Sequence, residues 1–115
     1  MGNQIIGNVE VGVAVSLEDL VSYESGQIKK KVLLENSASE LVVFAFDKDQ
    51  GFDLHTSAGD AFITILDGKV RVTIEKDSQI LEKGQSILMP ADIPHAVFAV
   101  EPFKMFLVVE YRPKI

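Results

Sequence analysis

Residues 60–75 read DAFITILDGKVRVTIE, and this segment decides the fold. In its second half Val70, Val72 and Ile74 fall on one side of an extended chain, and Lys69, Arg71, Thr73 and Glu75 on the other. In its first half Ala61, Ile63 and Ile65 alternate with Asp60, Phe62 and Thr64. A period of two marks strands with one dry face, and the Asp67-Gly68 pair between them is turn material.

The same period extends outward in both directions. Short runs recur as IKKKVLLE, ELVVFAFD, SQILE, SILMP, HAVFAVE and FKMFLVVEY, separated by NSAS, KDQG, KD, EKG, PADIP and EP. Eight or more short strands without a long helix predict an all-β antiparallel sandwich or barrel. One helical signal precedes them. In SLEDLVSY, residues 16–23, Ser16 is placed to cap the Asp19 amide, and Leu17, Leu20 and Val21 share a face. One or two turns are expected, with Gly26 as a stop. ELVVFAF and FKMFLVVEY are apolar on both faces. That predicts a double-layered barrel together with a covered outer face, and hence a homodimer.

Composition narrows the function classes. A chain of 115 residues, 47% hydrophobic and 24% charged, reads as one globular domain over 1–115. Residues 1–35 form its N-terminal strand and helix segment, and 36–112 its barrel. No apolar run approaches the ~20 residues that span a bilayer, and MGNQIIGNVEVGVAV has no basic region ahead of an apolar core. A cytoplasmic protein without membrane contact is expected. The chain has no cysteine, which excludes disulfides, thiolate metal sites and cysteine nucleophiles. A net charge of −6 argues against nucleic acid, and Lys29, Lys30 and Lys31 read as a solvated strand edge. No phosphate-binding glycine loop is present.

Two histidines, His55 and His95, are the main carriers of chemistry. If His55 faces the interior, strict alternation puts Asp53 and Ser57 on its side. His95 shares a side with Val97 and Ala99, and Pro90 and Pro94 bracket the loop before it. A histidine beside such a loop is commonly structural, donating to a backbone carbonyl.

GFDLHTSAGDAFITILDG followed, after a hairpin, by GQSILMPADIPH resembles the two motifs of the cupin superfamily. Gly51, His55 and Gly68 match the first, Gly84, Pro90 and His95 the second, and the resemblance covers residues 40–112. It implies a double-stranded β-helix, the cupin jelly-roll barrel, with a short N-terminal helix. It also implies a pocket inside the barrel lined by His55, Ser57, Ala61 and His95. Metal-binding cupins present three histidines and one carboxylate; here Ser57 and Ala61 stand at two of those positions. His55 and His95 are left as ligands for one divalent transition metal of unspecified identity, joined by Asp60 only if a bulge at Gly59 turns it inward. Asp92, at a position often glycine in the family, is a further stray carboxylate.

The resemblance therefore implies a small-molecule-binding cupin, its ligand held by two histidines directly or through a weakly held metal. Two enzymatic alternatives remain open, with His55 and His95 as the catalytic candidates. One is a metal-dependent dioxygenase- or isomerase-like enzyme. The other is a metal-free acid–base epimerase or isomerase acting on a carbohydrate or keto acid, with Asp53 the best-placed carboxylate to orient an imidazole. Met89, Phe98, Met105 and Phe106 read as core, one or two of them lining the cavity wall. Lys104, inside an apolar strand, is expected to reach a barrel rim or a partner subunit.

Overall fold

The computed structural model describes residues 4–113. Nine strands follow a 3-10 helix at Leu17–Leu20: β1 Ile28–Glu35, β2 Ser39–Phe46, β3 Gly51–His55, β4 Gly59–Asp67, β5 Lys69–Ile74, β6 Asp77–Glu82, β7 Ser86–Met89, β8 His95–Ala99 and β9 Phe103–Tyr111. They form two antiparallel sheets, one in the order β1-β2-β9-β4-β7 and the other β3-β8-β5-β6. This is the all-β jelly-roll barrel expected.

The two halves of the opening segment land in different sheets. β4 pairs with β7 and β9, whereas β5 pairs with β6 and β8. Asp67-Gly68 is thus a crossing between layers rather than a hairpin turn. Gly68 makes it at φ +79, where an added Cβ would lie 1.9 Å from the Pro102 carbonyl oxygen. The hairpin that β5 forms is with β6, closed by Glu75 and Lys76.

Alternation sets the core. Ala61, Ile63 and Ile65 of β4 and Val70 and Val72 of β5 turn between the sheets, where Val42, Phe44 and Phe46 of β2 meet them. Phe46 stacks on Phe103 with ring centroids 4.5 Å apart, and both are fully buried. Burying each such side chain contributes roughly 1.5–3 kcal/mol.

The outer face of β2 is dry for a different reason. Val43 and Ala45 pack with Leu33 and Val21, flanked by Val9, Leu17, Leu20 and Phe106. The chain's own N-terminal segment covers part of the surface whose apolar character pointed to a second layer or a partner. Lys104 pins that segment: its Nζ donates to the Glu18 carbonyl at 2.6 Å and lies 5.0 Å over the Tyr23 ring. Tyr23 in turn donates to Asp67 at 2.6 Å.

Two details of the N-terminal reading are corrected. Ser16 makes no side-chain cap; its backbone carbonyl accepts the Asp19 amide at 2.9 Å. The helix is one 3-10 turn that ends at Leu20, so Gly26 (φ +71) serves the turn into β1 rather than a helix end. Four residues with an open apolar face cannot sustain an α-helix alone.

Candidate functional site

The first half of the site comes from β3. Its pairing with β8 runs Gly51↔Phe98 and Phe52↔Val97, slips, and resumes at His55↔His95. The extra residue absorbed at Asp53-Leu54 is a bulge, so Phe52 and His55, three apart, line one cavity. Asp53 and Leu54 are exposed and border a groove on the outer side of the sheet. Strict alternation had placed Asp53 beside His55; the bulge overturns this.

The second half needs no such device. His95, Val97 and Ala99 are buried at alternate positions of β8. His95 is 4% exposed, whereas His55 is solvent-exposed. The two rings meet edge to face, centroids 4.5 Å apart.

Each imidazole is held by a carbonyl two residues upstream. His55 Nδ1 bonds the Asp53 carbonyl at 2.8 Å, and His95 Nδ1 bonds the Ile93 carbonyl at 3.1 Å. A carbonyl only accepts, so both Nδ1 atoms donate, and Nε2 is the acceptor of each ring when that ring is neutral. Asp53 therefore orients His55 through its main chain, not through its carboxylate. Burial pushes the His95 imidazole below its ordinary value; the Ile93 carbonyl opposes that shift and His55 adds to it.

The two histidines share a cavity of about 390 Å³, within the range of small-molecule sites. Ser57 and Ala61 also line it, as do Met89 and Met105, while Ile63, Val97, Leu107 and Val109 add to the apolar wall. Phe98 does not join them: it faces outward beneath the Arg71 guanidinium, 4.8 Å away. Phe106 packs against the N-terminal segment.

The stray carboxylates stay outside. Pairing is regular through Gly59↔Tyr111 and Asp60↔Glu110, with no bulge at Gly59. Asp60 is exposed and its Oδ1 accepts the Ala91 amide at 2.8 Å. Asp92 is exposed at φ +66, a left-handed conformation that explains the family's glycine there, and its amide donates to the Ser57 carbonyl at 2.8 Å. Among the described residues no group of three or more histidine, aspartate or glutamate side chains could hold a metal ion. Two imidazoles fall short of the four donors of the family's metal set, so the donors present do not fit a tightly held resident ion.

Three polar residues of the cavity, Glu40, Thr56 and Tyr111, escaped the sequence reading. Glu40 opens the inward-facing series Glu40, Val42, Phe44, Phe46 of β2 and lines the cavity. Its carboxylate accepts a hydrogen bond from the Tyr111 hydroxyl. That bond, with burial and the carboxylate's charge, pushes Tyr111 up to about 12. Extending the alternation of ELVVFAF backward by one step points to Glu40.

Comparison with known proteins agrees with this architecture. The cupin domain family model matches residues 42–109. A conserved protein of unknown function from Streptococcus pyogenes is 38% identical over 96% of this chain and 97% of its own, with a TM-score of 0.94. A cupin superfamily protein from Desulfitobacterium hafniense superposes with a TM-score of 0.89 at 20% identity, over 93% of this chain and 98% of its own. A cupin 2 conserved barrel domain protein from Leptotrichia buccalis is 35% identical over 81% of this chain and 45% of its own, with a TM-score of 0.77. None of the curated proteins matches.

Proposed function

The chain belongs to the cupin domain family, and on that premise we propose that it binds a small molecule in the cavity between its sheets, at His55 and His95. The observation that carries the reading is the paired imidazoles. Both Nδ1 atoms are committed to carbonyls, which leaves the two Nε2 atoms to meet a ligand in a cavity whose wall is largely apolar. Such a site fixes a ligand's polar group while its apolar part displaces water.

The ligand is captured directly. A divalent ion at the same nitrogens would take only two bonds from these side chains and draw the rest from ligand and water. Elemental analysis of untagged protein from metal-replete growth should find less than about a tenth of an equivalent of transition metal; near-stoichiometric metal would reverse this part of the reading.

Acid–base turnover is the second reading, favoured by one observation. Burial holds His95 in its neutral form, ready to accept a proton. The cavity suits a keto acid poorly, because its carboxylate would share the space with that of Glu40.

Imidazole NMR tests the shared pocket. His95 should titrate below the ordinary histidine range and His95→Ala should shift the His55 resonances. Ordinary, independent titration of both rings would refute the reading. A homodimer and a cytoplasmic home complete the proposal. Phe62 and Leu88, opposite each other on β4 and β7 and 44% and 50% exposed, are where a second copy would dock. Sedimentation of wild type against Phe62→Asp checks the dimer.

A further inference from the structure

We propose that the ligand of this cavity is a small organic cation: an ammonium group that pairs with Glu40, an apolar body, and a second donor, such as a hydroxyl, that reaches the imidazoles. The inference rests on the binding reading above and names its chemical class.

The cavity's polar groups divide by role. Both histidine Nδ1–H groups and the Tyr111 hydroxyl already donate within the protein. What remains for a ligand is the two Nε2 atoms, acceptors in the neutral rings, and the carboxylate of Glu40. Thr56 and Ser57 add neutral hydroxyls, and the Ser57 Oγ accepts the Gly59 amide at 3.2 Å. Among the described residues that line the cavity there is no lysine or arginine. Glu40 makes no ion pair among the described residues. An anionic ligand would therefore meet the Glu40 carboxylate with no lysine or arginine in the lining to compensate it, which is costly away from water.

The acceptors form two stations rather than one. Glu40 does not join the imidazoles in a group able to grip a single ion. The same cavity is walled by the apolar Ile63, Met105, Leu107 and Val109. A ligand that satisfies both stations must carry two donors and an apolar body. The Tyr111 hydroxyl, held on Glu40, fixes the carboxylate's direction before any ligand arrives and lowers the entropy lost on binding.

Four probes of matched length separate the possibilities: 4-amino-1-butanol, butylamine, 1-butanol and butyrate. Binding is followed by calorimetry and by the His55 and His95 NMR resonances. The expected order is amino alcohol, then amine, with butyrate weakest by about tenfold or more. Glu40→Gln should weaken the two amines by about tenfold and leave 1-butanol unchanged. Tyr111→Phe keeps the carboxylate and should keep the preference for amines; a merely structural Glu40–Tyr111 clasp would give both variants the same loss of stability and no change in ligand order. Butyrate binding as well as butylamine, or amine affinity untouched by Glu40→Gln, overturns the cation while the pocket stands. Silence from all four probes overturns the inference too, and only if both imidazoles also titrate independently does the pocket reading fall with it.

Discussion

Gly51→Ala probes the contact on which the paired histidines depend. Gly51 opens β3 opposite Phe98, and an added Cβ would sit 2.2 Å from the Val97 carbonyl oxygen and 3.1 Å from the Phe98 Cα. Both obstacles are backbone, so neither can rotate away. Non-bonded contact is comfortable only beyond about 3.5 Å, so β3 must retreat from β8 by more than about 1 Å. Overpacking of this kind costs about 1–3 kcal/mol, and each ladder hydrogen bond lost from this short edge strand adds about 1 kcal/mol. The expected loss is about 2–4 kcal/mol, which for a chain of this size lowers Tm by roughly 8–15 °C. Urea unfolding measures it, with Gly7→Ala as control, because a Cβ there meets nothing within 4 Å. The control should stay within about 0.5 kcal/mol. Since β3 carries His55, the retreat should also alter the ring-current shifts between the two imidazoles. A Gly51→Ala protein less than about 0.5 kcal/mol weaker, with unchanged imidazole shifts, would refute the claim that this close approach sets the His55–His95 geometry.

Two further outcomes follow from the same structure. Ile63 is fully buried on the cavity wall, so Ile63→Ala should cost about 2–5 kcal/mol in urea unfolding, and less than about 1 kcal/mol would mean that the wall collapses freely. His95 sets a pH dependence. Its folded value lies below the ordinary 6.5, so the unfolded chain binds the proton more readily and stability falls as pH drops through the mid-sixes, levelling off below the folded value. His95→Gln should flatten that limb of the stability profile; an unchanged limb would show that another group governs it.

Much of this was legible because strands announce themselves by parity. Alternation in DAFITILD and KVRVTIE places Ala61, Ile63, Ile65, Val70 and Val72 in the core without coordinates. That Ser57, Ala61 and His95 share one cavity was implied by the family resemblance rather than by parity. Parity fails wherever the ladder slips. The bulge at Asp53-Leu54 reverses the side on which Asp53 stands and turns Phe52 inward, and no local residue type marks it. The sequence also offered Asp67-Gly68 as a turn without saying that the chain changes sheets there. Glu40 was overlooked for the opposite reason: its parity was readable, but a charged residue at a strand's end looks like a solvated one.

Residue order alone determined which faces of the strands are dry, that cysteine and phosphate-loop chemistries are absent, and that two imidazoles lie in segments of matching motif. Tertiary structure decided which polar groups share the cavity and what each can still donate. Hydrogen bonds between residues far apart in the chain, such as Tyr111 to Glu40, depend on how strands from both ends converge. Side-chain alternation is a local property of an extended backbone, but the commitment of a lone pair or a proton is a property of whatever folds against it.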